Sequence, residues 1–119
     1  MIFICLSNPI VSIGTILSVG GIRDALQRTT AKVIGISPIV AGAPIKGPAD
    51  KLMRSLGFEV SAFSVAKLYG DFLDVFVIDQ QDASEKSQIE RLGIKVKMTD
   101  TIMKSLEDIV RLARTVLED

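Results

Sequence analysis

Hydrophobic positions along the chain follow two different periods. Four short runs, residues 2–6, 33–36, 75–78 and 94–98, read as strands. The first three are apolar at nearly every position, which suits strands covered on both faces of a parallel sheet. The fourth alternates as Ile94, Lys95, Val96, Lys97, Met98. That pattern predicts a half-exposed strand near a sheet edge, with Lys95 and Lys97 on a solvated face. Between the strands the apolar residues recur at helical spacing. Gly47 and Pro48 open one helix, Leu52, Met53 and Leu56 form its stripe, and Gly57 closes it. A second is predicted over residues 62–73 with Ser61 as cap, and a third after an Asp82/Glu85 capping box, closed by Gly93. Ile102, Leu106, Ile109, Val110, Ala113, Val116 and Leu117 mark a final amphipathic helix capped by Thr99 or Asp100. A further helix spans residues 22–28.

Strands alternating with helices imply right-handed parallel crossovers. The predicted fold is therefore a parallel, Rossmann-like α/β sheet in three layers, half of a doubly wound fold, with residues 1–119 as one domain. No repeat, low-complexity tract or linker interrupts it.

Composition narrows the chemistry. The 14 basic and 14 acidic side chains balance to zero net charge, which argues against nucleic acid as the partner. There is no histidine, so a histidine base and any histidine metal ligand are excluded. The single cysteine, Cys5, excludes an internal disulfide and a multi-thiolate zinc site, points to a reducing cytoplasm, and is expected to pack inside its apolar strand. Residues 1–22 carry no charged side chain, but serines, glycines, Asn8 and Pro9 interrupt them and the first positive charge is Arg23. A buried strand followed by a glycine-rich turn fits better than a signal or a membrane span.

Ligands of such sheets bind beyond the carboxyl ends of the strands. The first strand leads into Ser7-Asn8-Pro9-Ile10-Val11-Ser12-Ile13-Gly14-Thr15, a run short of charge and rich in hydroxyl, amide and backbone donors. Ser7, Asn8 and Ser12 are candidates to hold a phosphate, with Gly14, Gly20 and Gly21 permitting close backbone approach. The alternative is a plain turn with local side-chain caps. The second strand leads into a proline- and glycine-rich loop whose one charge, Lys46, stands just before a helix start. Lys46 there either binds an anion or is a solvated loop residue. Asp79 at the end of the third strand is read as a turn residue, because the first strand ends in Leu6-Ser7-Asn8 rather than in further acids.

These loops resemble a known family. Residues 7–17, Gly21-Ile22-Arg23-Asp24-Ala25-Leu26, Ser37-Pro38-Ile39-Val40, Lys46-Gly47-Pro48-Ala49-Asp50-Lys51-Leu52-Met53, Ser61-Ala62, Val65-Ala66, Tyr69, Phe76-Val77-Ile78-Asp79 and Thr99-Asp100-Thr101-Ile102-Met103 together look like 2-phospholactate transferases (CofD). The resemblance implies a step in deazaflavin coenzyme biosynthesis. A 2-phospholactyl or related phosphoacyl group would move from a guanosine diphosphate-linked donor to the deazaflavin precursor Fo, releasing GMP with magnesium assisting. It implies phosphate or acceptor binding by Ser7, Asn8 and Ser12, with Lys46 near the same pocket, and names no catalytic residue in this chain.

The departures are as informative. Leu6 and Gly20 stand where the family usually has proline. The family's amino-terminal half, with its Gly-Gly-Thr-Gly nucleotide loop and the acids expected to handle metal and acceptor, has no counterpart here. The resemblance therefore implies the carboxyl-terminal half alone, with the metal ligands outside it. Such a half exposes the strand of residues 2–6 as an apolar edge and is expected to form a homodimer or to pair with an amino-terminal half. The alternative function is a non-catalytic binding or assembly module derived from the same family.

Overall fold

The computed structural model describes residues 1–118. Four strands, β1 (Ile2–Ile4), β2 (Val33–Ile36), β5 (Val75–Asp79) and β6 (Lys95–Thr99), form one sheet in the order β1-β2-β5-β6, every pair parallel. Between β2 and β5 a small antiparallel hairpin joins β3 (Ile39–Val40) to β4 (Ala43–Pro44). Helices α1 (Ile13–Leu17), α2 (Ile22–Arg28), α3 (Ala49–Ser55), α4 (Ala62–Tyr69) and α5 (Lys86–Glu90) are the crossovers, and α6 (Leu106–Leu117) follows β6.

Because the spatial order equals the chain order, each right-handed crossover returns on the same side. Ile13, Met53, Val65 and Ile89 from the crossover helices accordingly meet Val33, Phe76, Ile78 and Val96 in the larger core. The other face of the sheet presents Ile34, Ile36, Val75 and Val77, and α6 covers it with Leu112 and Val116. The three-layer α/β arrangement expected from the sequence is thus present, with one layer built from a single helix. No helix among the described residues is long and apolar enough to cross a membrane.

Several local expectations are corrected. The final helix does not start at Thr99 or Asp100: Ser105 caps it, accepting from the Asp108 N–H, while the Lys104 N–H and the Arg111 guanidinium hold the Asp108 carboxyl below its usual range. Its apolar stripe is wider than the sheet uses, so Leu106, Ile109, Val110 and Leu117 stay exposed, and Leu112, absent from the predicted stripe, is one of its two buried residues. Asp82 and Glu85 form no capping box. A 3-10 turn over Gln80–Glu85 is capped instead by Asp79, whose carboxylate accepts from Gln81. The second helix ends at Tyr69, and Phe72 and Leu73 enter the core from the turn that follows. Cys5 is exposed, because alternation along β1 turns it with Phe3 toward the face that α6 leaves open. Lys97 is not simply solvated; its ammonium donates to the carbonyls of Thr115 (3.2 Å) and Glu118 at the carboxyl end of α6, where a cation is favoured. Lys95 is exposed as expected.

Candidate functional site

The carboxyl ends of the four parallel strands carry every residue proposed for ligand binding. β1 runs into residues 5–12, and β2 into Ser37 and the hairpin. Asn8 organises the first loop. Its Oδ1 accepts from Ile10 N–H (2.9 Å) and Val11 N–H (3.2 Å), and its carbonyl accepts from Ser12 (3.2 Å) and Ile13 (3.0 Å). Asparagine closes such turns because its short amide reaches the backbone two and three residues on. The turn therefore consumes the backbone donors of Ile10, Val11, Ser12 and Ile13. What remains for a ligand is side-chain chemistry: among the described residues Ser7 Oγ, Asn8 Nδ2 and Ser12 Oγ make no hydrogen bond, and Ser12 does not cap α1. Fixing Oδ1 inward turns the amide NH2 of Asn8 away from the turn.

The glycines of this segment divide by cause. A Cβ on Gly14 would sit 2.9 Å from the Pro9 carbonyl oxygen, so Gly14 lets α1 close onto its own loop. Gly21 begins α2 at φ 91°, a left-handed conformation glycine adopts without strain. Gly20 has open space around its Cα.

Lys46 lies on the neighbouring strand's loop. Ile45 N–H donates to the Pro38 carbonyl (3.1 Å), which ties the chain after β4 back to the carboxyl end of β2, the strand beside β1. Lys46 itself is exposed, and among the described residues it makes no hydrogen bond or ion pair. Ser7, Asn8 and Ser12 share one loop, and no hydrogen bond joins Lys46 to them.

The structure adds residues that pattern reading missed. The hairpin turns through Ala41 (φ 50°) and Gly42 (φ 79°), both left-handed, as a tight two-residue turn requires. A left-handed alanine costs roughly 1–2 kcal/mol. The buried Asp82 carboxylate holds it, accepting from Ala41 N–H at 3.0 Å. Glu85 accepts from Phe63 N–H (3.1 Å) at the start of α4, where Ser61 is the cap as expected. Asp79, at the end of β5, accepts from Gln81 N–H (2.9 Å), Thr101 N–H (2.9 Å) and Thr101 Oγ1 (3.1 Å), so it joins the carboxyl ends of β5 and β6. The reading of Asp79 as a turn residue holds.

Burial raises the Asp82 carboxyl, and the charge of Asp79 adds to it against the Ala41 hydrogen bond. Burial also raises Glu85, reinforced by Asp82 and Glu59. At Asp79 burial acts upward too, but the hydrogen bonds from Gln81 and Thr101 outweigh it and leave the carboxyl below its ordinary value. The signs are opposite. Asp82 and Glu85 bind protons more tightly in the folded chain than in the unfolded one, so they favour folding increasingly as pH falls from neutral toward the usual carboxylate range, about 4. The contribution of Asp79 is complete above that range and is lost as pH falls through its folded-state value. Thermal melting from about pH 8 to about pH 3 is expected to show a maximum on the acid side of neutrality. Asp82→Asn keeps an acceptor for Ala41 and should raise stability at neutral pH while flattening the acid-side rise. A variant profile parallel to the wild type would contradict this.

A four-strand parallel sheet with crossover helices on one face and α6 on the other defines a Rossmann-like α/β protein. The chain belongs to the 2-phospho-L-lactate transferase CofD family, whose sequence profile matches residues 1–116. It is 49% identical to the 2-phospho-L-lactate transferase of Methanosarcina acetivorans over 93% of this chain and 36% of that protein. It is 40% identical to the protein of the same name from Methanothermobacter thermautotrophicus (98% of this chain, 38% of that one). It is 43% identical to a phosphoenolpyruvate transferase of Kitasatospora aureofaciens (93% and 35%). The chain thus spans little more than a third of these relatives, and the match falls in their carboxyl-terminal part.

Proposed function

We propose that this chain is the phosphate- and acceptor-binding part of a transferase in deazaflavin coenzyme biosynthesis. It would help move a 2-phospholactyl or related phosphoacyl group from a guanosine diphosphate-linked donor to the terminal hydroxyl of the precursor Fo. In that step the acceptor oxygen forms a bond to the phosphorus of the phosphoacyl group, and the bond from that phosphorus to the bridging oxygen breaks. GMP leaves with the electron pair, and the hydroxyl proton is released. Ser7, Asn8 and Ser12 donate to phosphate oxygens, and the Lys46 ammonium balances charge as a point cation. The relatives' names support a phosphoacyl group while differing in which one: 2-phospho-L-lactate in some, phosphoenolpyruvate in another.

The observation that carries this reading is Asn8: its oxygen is spent on the turn, while its NH2 donors are unspent at the carboxyl end of β1. Magnesium would neutralise diphosphate oxygens in such a reaction. The residues here do not fit that ion, since no three acidic, histidine or cysteine side chains among those described are grouped to hold it. Asp79 and Asp82 are moreover engaged with backbone N–H groups. We assign the metal, the nucleotide loop and the reacting base to a companion polypeptide segment.

Calorimetric titration with Fo and with the guanosine-linked donor tests the site. Asn8→Asp keeps the turn's acceptor but removes the NH2 donors and adds a negative charge, so affinity should fall at least about tenfold with little change in melting temperature. Asn8→Ala should lose affinity and also some stability, because Ile10 and Val11 lose their acceptor. Affinity unchanged in both variants would remove Asn8 from the site.

A further inference from the structure

We propose that the crevice between α1 and the carboxyl ends of α3 and α4 binds a small uncharged molecule with an apolar body and one hydroxyl or carbonyl group, which the Tyr69 hydroxyl holds. This assignment is independent of the function proposed above. The crevice has a volume of about 420 Å³, within the range of small-molecule sites. Leu17, Leu56, Phe58 and Leu68 wall it, and Pro9 and Tyr69 are buried at its base.

The end of α3 shapes its mouth. Gly57 is left-handed (φ 82°), its N–H donates to the Arg54 carbonyl (3.0 Å), and the Phe58 N–H reaches back to the Met53 carbonyl (2.8 Å). That closure ends the helix and fixes Leu56 and Phe58 on either side of one glycine. Leu56 is left 58% exposed and Phe58 36%.

The polar groups decide what fits. The Arg23 guanidinium donates to Asp71 and to the Leu68 carbonyl (3.4 Å) and lies over the Phe72 ring, so its charge is already balanced and an uncharged ligand is favoured. The Ser18 hydroxyl donates to the Thr15 carbonyl (2.6 Å). Tyr69 differs. Its ring packs on Phe72, it is 1% exposed, and its buried hydroxyl has no hydrogen-bond partner among the described residues. Buried tyrosine hydroxyls nearly always have one. A water there would need about two to four polar partners, and the leucine and phenylalanine walls supply none. An apolar molecule carrying a single oxygen satisfies both the walls and the hydroxyl. Burial pushes the phenol's pKa up, so the group stays protonated at physiological pH and can donate as well as accept.

Two probes that differ by one hydroxyl, 2-naphthol and naphthalene, test the site by calorimetric titration. The expected result is saturable binding of 2-naphthol with a Kd below about 1 mM, about tenfold tighter than naphthalene. Tyr69 is the chain's one tyrosine and there is no tryptophan, so a shortened tyrosine emission lifetime locates the probe beside it. Tyr69→Phe should melt no lower than the wild type and should bind the two probes equally, because only the hydroxyl is lost. Leu56→Glu, at an exposed position, should weaken both probes while circular dichroism stays unchanged. No saturable binding of 2-naphthol to the folded chain overturns the proposal. So does a preference for 2-naphthol that survives Tyr69→Phe, or binding that leaves the tyrosine lifetime unaltered.

Discussion

Asp79→Ala is expected to destabilise the fold by about 3–5 kcal/mol, because it strands three donors at once. Asp79 is 1% exposed, and its two oxygens serve the N–H groups of Gln81 and Thr101 and the Thr101 hydroxyl, itself fully buried. Each buried donor left without an acceptor costs about 1–3 kcal/mol, and the two on Thr101 are buried just past the end of β6 while Gln81 is exposed. For a domain this size the melting temperature should drop by roughly 10–20 °C. Asp79→Asn should fall between, since one oxygen survives while the new NH2 opposes a donor. Thr101→Val removes only the hydroxyl and should cost about 1 kcal/mol. Thermal melting at neutral pH measures all three. An alanine variant melting within a few degrees of the wild type would mean that β5 and β6 are held together without this carboxylate.

The second large effect is on turnover. Incubated with guanosine-linked donor, Fo and magnesium, the isolated chain is expected to release GMP no faster than a blank. With the companion segment of a relative supplied, release should rise by on the order of a thousandfold or more, the scale that charge neutralisation contributes to phosphoryl transfer. No acids are grouped among the described residues and the sequence has no histidine, so on the proposed reading the chain would position a substrate without completing the displacement. Chromatography of GMP decides the matter. Vigorous turnover by the chain alone would refute the division of labour proposed here. Silence in both conditions, with Fo still bound, would favour the non-catalytic binding module.

Legibility of the chain followed the range of the forces involved. The continuous apolar runs of β2 and β5 and the alternation of β6 report burial on two faces or one, a local pattern, and all three strands fall where the pattern puts them. The same holds for α2 and for the Ser61 cap of α4. Asn8 was legible as a turn former because its side chain acts on its own neighbours.

Other features depended on partners distant in the chain. Asp82 and Glu85 have the spacing of a capping box, yet Ala41 and Phe63, 41 and 22 residues away, claim their carboxylates. Cys5 sits in an apolar run and is nevertheless exposed, because the helix that could cover it lies over β2 and β5 instead. Periodicity shows that α6 is amphipathic but not how much of its stripe the sheet will take. The sequence by itself determined the α/β class, the strands and the donor-bearing turn after β1, since these rest on hydrophobic period and on contacts within a few residues. Only the tertiary structure decided which carboxylates hold loops together and which apolar face stays open, because hydrogen-bond geometry and burial are set by elements that meet only once the sheet has formed.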